Sequence, residues 1–243
     1  MLDLEHPRGL AELLRTAVGL YVRHFGLWLL LAGTLVVPFE IVLQVVTSNL
    51  HGGTLTAHQS QQLLLFILVD FVVVIPVVSA LQARAVALLG EGERPDLRRI
   101  LRLSLPVMPT VIAASIIAGI GVTIGLVVFI LPGIWVLLRL YVVAQTAAIE
   151  GTDWPTTLRR SYLLTHRNFW RVFSVLVIVG LINLVVELLA ASLSGSGGST
   201  VQDIVAGAAA LVSQSFSTLL TAVLYFDLRA RRVHGGAGRR GRT

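Results

Sequence analysis

Six apolar runs dominate the sequence, each near the roughly 20 residues that an α-helix needs to cross the hydrocarbon core of a bilayer. They fall near 25–48, 61–89, 106–130, 132–149, 169–193 and 201–228. In hydrocarbon every backbone N–H and C=O must find its partner within the protein, so runs of this length become helices. Of the 243 residues, 55% are hydrophobic and 13% charged, against about 25% charged in a soluble domain. No stretch outside the runs is long or polar enough for a separate soluble core. The chain therefore reads as all-α, a polytopic transmembrane bundle of six spans, with one domain over 1–228 and a basic, disordered tail at 229–243. The third and fourth runs are separated by little more than "LPG", where Pro132 can open a helix and Gly133 allows a tight reversal.

Orientation follows from the basic residues, all 19 of which are arginine. Arg8, Arg15 and Arg23 precede the first run. Arg84, Arg94, Arg98, Arg99 and Arg102 lie beside or between the second and third, and Arg159, Arg160, Arg167 and Arg171 flank the connection from fourth to fifth. The tail "RARRVHGGAGRRGRT" holds six more, whereas the alternate loops "SNLHGGTLTAHQSQ", "LPG" and "SLSGSGGSTVQD" hold none. The positive-inside rule then places both termini in the cytoplasm of a cell (cytoplasmic) membrane. A basic tail directly after a span reads as a topology anchor that favours anionic lipid headgroups at the cytoplasmic face, not as a nucleic-acid site. The start "MLDLEHPRG" lacks the shape of a cleaved signal peptide, so the N-terminus is expected to be kept.

Each cytoplasmic connection reads as a short amphipathic helix lying in the interface. Leu10, Leu13, Leu14, Ala17, Val18 and Tyr21 oppose Arg8, Glu12, Arg15 and Arg23. Leu97, Ile100, Leu101 and Leu105 oppose Arg98, Arg99 and Arg102, and Leu158, Tyr162 and Phe169 oppose Arg159, Arg160, His166 and Arg167. "LRTAVGLYVRHF" and "LRRSYLLTHRNF" also match in line. The pattern predicts three parallel units, about 8–89, 95–149 and 155–228, each an interfacial helix followed by a hairpin of two spans around an approximate three-fold axis.

The stretch "LPGIWVLLRLYVVAQTAAIEG" followed by "TLRRSYLLTHRNFWRVF" resembles the glycerophosphoryl diester phosphodiesterase membrane domain, a six-helix integral membrane module. The shared features are Pro-Gly-aromatic, an arginine at Arg139, Glu150-Gly151, Arg160-Ser161 and Phe169-Trp170. The phosphodiesterase chemistry of that family belongs to a separate soluble barrel domain, which this sequence does not contain. The resemblance implies the six-helix membrane module, without the catalytic domain.

Motifs for chemistry are missing. There is no cysteine and no HExxH, and the six histidines have no metal-ligand spacing. No nucleophile, base and oxyanion donor can be assembled, so the expectation is no enzyme, no cofactor and no metal. Small residues four apart, Gly121 with Gly125 and Ala206 with Ala210, are expected to let helices pack closely, within the chain or in a homo-oligomer or with another membrane protein. Four ionisable residues are read as intramembrane: Glu40, Asp70, Arg139 and Glu187. Gln44 lies one turn after Glu40 and Asn183 one turn before Glu187. Counting 1.5 Å per residue from the outer ends puts all four charges about 10 Å deep, so Arg139 is expected to pair with one or more of the acids. The leading expectation is a non-catalytic module binding lipid or protein partners. The alternative is a transporter or channel-like protein that moves a small solute, ion or lipid through this outward-facing polar cluster.

Overall fold

The computed structural model describes residues 6–47, 56–194 and 199–240. The described residues form helices and no strand: α1 (Leu10–Arg23), α2 (Phe25–Thr47), α3 (Ala57–Val69), α4 (Ile75–Gly90), α5 (Leu97–Ser104), α6 (Met108–Val128), α7 (Ile130–Leu140), α8 (Val143–Glu150), α9 (Trp154–Thr165), α10 (Phe169–Ser194) and α11 (Ser199–Arg240). Six helical stretches among the described residues are long and apolar enough to cross a membrane: 25–43, 57–90, 97–128, 130–150, 169–193 and 204–234. The chain is a multi-pass membrane protein by this architecture. Connectivity puts α1, α5 and α9 at one end of the bundle, called here the short-helix end.

Local chemistry explains several boundaries. Thr56 caps α3, its Oγ1 accepting from the Gln59 N–H (3.3 Å) while Gln59 Oε1 accepts from the Thr56 N–H (2.9 Å). Between α3 and α4, Asp70–Val74 forms a π-helical turn in which the Ile75 N–H reaches back five residues to the Asp70 carbonyl. Pro76 follows directly and has no N–H to continue the α-helical ladder. The α8 C-terminus stops at Gly151, whose φ of +61° is left-handed and suits glycine.

Two expected boundaries differ. The reversal between the third and fourth spans is made by extended Phe129 (φ −160°, ψ 145°), and Pro132 and Gly133 lie inside the first turns of α7. Proline costs nothing there, because its N–H would be unpaired in any first turn. Gly133 serves close approach instead: a Cβ on Gly125 would come within 2.8 Å of the Gly133 Cα. Alanine at Gly125 is therefore expected to destabilise by about 1–2 kcal/mol through overpacking. Alanine at Gly121 is expected to be near neutral, because its Cβ would meet Val136 at an ordinary 3.6 Å. Thermal melts of both variants in one detergent check the contrast. The second difference is at 229–243, where α11 continues to Arg240 through the segment expected to be disordered. Ala230 is buried, and Arg231 pairs with Asp227 one turn back, which anchors the extension.

The contacts between helices follow a cyclic order. Each short helix packs on the second span of the preceding unit: α1 on α11, α5 on α4, α9 on α8. Each first span does the same, with α2 on α11, α6 on α4 and α10 on α7. The main core lies towards the short-helix end, where Leu13, Trp28, Ile100, Leu164, Leu224 and Leu228 are fully or almost fully buried. Trp28 Nε1 donates to the Leu20 carbonyl at 2.9 Å, fixing α2 against α1. Buried Gln82 of α4 accepts from Thr218 of α11 at 2.8 Å. On α9 the buried face is Thr157, Ser161, Leu164 and Thr165, whereas Leu158 and Tyr162 are half-buried. The hydroxyls can be buried because Ser161 and Thr165 both donate to the Arg139 carbonyl, at 3.3 and 2.9 Å.

Candidate functional site

Away from the short-helix end the helices separate and enclose a cavity of about 940 Å³. Glu40, Asp70, Asn183 and Glu187 all line it, so four of the polar residues that the spans carry at intervals along the sequence meet in one space. The side chain of Gln44 lies outside the described residues. The cavity touches α11 from Gln202 to Thr221, about 28 Å at 1.5 Å per residue. Past Thr221 the helix is fully buried at Ala222, Val223, Leu224 and Tyr225. The cavity therefore ends blind towards the short-helix end.

Helix interruptions border this space. Pro38 sits within α2, two residues before Glu40. The π-helical turn begins at Asp70 itself. The break between α7 and α8 falls at Tyr141–Val142, and Leu140, Tyr141 and Val143 line the cavity. Irregular backbone at membrane depth is tolerated where it is buried in protein or lines a water-filled cavity. Asn183 accepts from Ser217 Oγ (3.2 Å), and Tyr141 accepts from Thr221 Oγ1 (3.5 Å). Gln145 and Ser115 are 1% and 4% exposed and line the same space. Gln145 donates to Ser79, yet its carbonyl Oε1 and the Ser115 hydroxyl have no protein partner. No Lys, Arg or His lines the cavity among the described residues.

The small-residue stripe of the last span belongs to the same wall. Ala206, Ala210, Ser213, Ser217 and Thr221 all line the cavity.

Arg139 is the main correction. It forms no ion pair among the described residues, with no carboxylate of the cluster within 4.0 Å. Its guanidinium lies over three aromatic rings: Trp135 one turn back at 5.0 Å, Tyr162 of α9 at 5.4 Å and Phe169 at the start of α10 at 5.6 Å. Phe169 and Glu187 are 18 residues apart on α10, about 27 Å along the axis. Counting depth along a straight span misplaced Arg139, because α9 packs against α6, α7 and α8 and brings Tyr162 to it. Each cation–π contact contributes about 0.5–2 kcal/mol, which replaces the missing carboxylate.

The residues that carry the family resemblance mostly gather around this point. Ser161 bonds the Arg139 carbonyl, and Trp135 and Phe169 form the cage. Glu150, next to Gly151, pairs with Arg160 at 2.9 Å and accepts from the Tyr225 hydroxyl at 3.2 Å. Their arrangement is structural: it fixes α7, α8, α9 and α11 to one another.

One buried charge had no place in the sequence reading. Asp227, fully buried on α11, lies 2.7 Å from Arg171 Nε and 3.0 Å from Arg231 Nε, and accepts from the Arg8 N–H at 2.7 Å. Arg171 and Arg231 also donate to the Arg8 carbonyl. The signal was available as a lone acid in "FDLRARR", one turn before Arg231, but its other partners are distant in sequence. Among the described residues no group of three or more His, Asp or Glu is close enough to hold a metal ion. No family model matches this chain, and neither a curated protein nor a solved structure does.

Proposed function

We propose that the protein is a non-catalytic binding module of the cell membrane, with both termini cytoplasmic, that receives an amphiphilic molecule in the cavity from the outer face. The observation that carries this reading is the blind cavity itself, whose volume falls within the usual range for ligand pockets, about 300–1,000 Å³. The orientation is supported by arginine: Arg15, Arg23, Arg98, Arg102 and Arg159 are exposed at the short-helix end, where they suit anionic lipid headgroups. The cyclic helix contacts support an internal repeat of three parallel units.

Transport is the second reading, favoured by the π-helical turn and the α7–α8 break beside the cavity, since broken helices commonly frame transport sites. It requires a path through the packed core beyond Thr221, and solute flux or lipid exchange in liposomes would establish it.

The absence of cysteine makes a direct test available. Ala210→Cys on the cavity wall should react with a membrane-impermeant thiol reagent added outside intact cells. Arg98→Cys on α5 should react only after the membrane is opened. Native mass spectrometry should then show small molecules co-purifying with the unmodified Ala210→Cys protein and lost after a bulky maleimide is attached there. Labelling in the reverse pattern overturns the orientation. Bound mass unchanged by the maleimide overturns the cavity as the binding site.

A further inference from the structure

The cavity has one sign of charge. Glu40, Asp70 and Glu187 face into it from α2, the π-helical turn and α10, and no basic residue answers them from any wall among the described residues. Arg139, which could have neutralised them, is held in its aromatic cage elsewhere. A low-dielectric space lined by acids concentrates a negative potential. The carboxylates are not grouped as metal ligands, so the potential is spread over the wall and not focused on a coordination point.

Two further features of the wall favour the same ligand. Two aromatic residues, Phe71 and Tyr141, are among its lining, and aromatic rings attract a positive charge. At the deep end, Gln145 is 1% exposed and has a carbonyl oxygen without a protein partner. A buried acceptor left unpaired costs stability, so a donor from a ligand or water completes it. Ser79, which holds the Gln145 amide, is nine residues beyond Asp70 on the same span, about 13 Å deeper. The site thus offers acids in its outer part and a hydrogen-bond acceptor further in, with apolar side chains such as Leu137, Val143 and Leu176 between them.

We propose that the cavity is a binding site for an organic cation: a protonated or quaternary amine carried on an apolar body. This rests on the reading of the cavity as a binding site and names the class of molecule it selects. The acids supply long-range attraction, the aromatic rings and aliphatic wall hold the body, and the Gln145 carbonyl takes a donor where the ligand has one. An anionic lipid is disfavoured here by the same charges, although it suits the arginine-rich opposite end.

The test uses two probes of the same shape and opposite charge, tetraphenylphosphonium and tetraphenylborate. Equilibrium dialysis against the full-length protein in dodecyl maltoside, with empty micelles subtracted, should show saturable binding of the cation at least about tenfold tighter than that of the anion. Asp70→Asn should reduce that preference, and the triple variant Glu40→Gln/Asp70→Asn/Glu187→Gln should abolish it. Glu93→Gln, remote from the cavity, should leave it unchanged. Size-exclusion profiles and thermal transitions establish that the amide variants, which are isosteric, remain folded. Phosphatidylethanolamine added to the micelles separates two sources of the amine. Displacement of the probe supports a lipid headgroup, and an unmoved affinity supports a water-soluble amine. Equal binding of both ions, no saturable cation binding, or a preference that survives in the triple variant overturns the cation assignment. If the maleimide at Ala210→Cys still removes co-purified molecules, the binding reading stands and only the ligand class has failed.

Discussion

Asp227→Asn is expected to destabilise the protein by about 3–5 kcal/mol, the usual consequence of breaking a buried ion pair while its partners remain. The carboxylate is fully buried among Arg171, Arg231 and the backbone N–H of Arg8. An amide keeps the shape but removes the charge that balances two guanidinium groups, one of them mostly buried. Arg231→Gln should cost less, because Arg231 is the more exposed partner and Arg171 remains beside Asp227. Thermal unfolding in a single detergent measures both. Asp227→Asn melting with the wild type would mean that the three-way contact does not hold the N-terminal segment.

Arg139→Leu is expected to destabilise by about 3 kcal/mol, the sum of three modest cation–π contacts reduced by relief of a charge whose Nε and Nη1 lack hydrogen-bond partners. Arg139→Lys should recover only part of this, since an ammonium cannot lay a flat face on Trp135, Tyr162 and Phe169. The decisive feature is coupling. Combining Arg139→Leu with Glu187→Gln should give losses that add within about 0.5 kcal/mol, as for residues without shared partners. Trp135→Leu combined with Arg139→Leu should lose less than the sum. The same melts with a double-mutant cycle read this out, and strong coupling to Glu187 would restore the ion pair that charge and depth suggested.

That comparison shows where sequence reading succeeds and where it stops. The spans were legible because hydrocarbon demands about 20 apolar residues from every crossing, whatever its neighbours. Glu40, Asp70, Asn183 and Glu187 could be grouped because polar side chains at membrane depth gain by sharing a common space. Arg139 could not be placed by the same count, since its position depends on α9 packing back against α7 and on a break at Tyr141 that no proline or glycine marks. Asp227 stood at the last turn of a predicted span and passed for its end. Its partners lie 219 residues before it and 56 before it, and only tertiary structure joins them. The reversal at Phe129 was hidden because "LPG", which begins two residues later, offered a more conventional turn.

The contact between Arg8 and Asp227 also orders events in time. Residue 8 is made long before the carboxylate that holds it, which belongs to the sixth span. Until then Arg171 and the Arg8 backbone have no anion to converge on, and α1 lacks the α11 surface on which it packs. The first helix can therefore dock there only after α11 has been made. A chain that stops short of α11 lacks that surface and leaves Arg171 without Asp227.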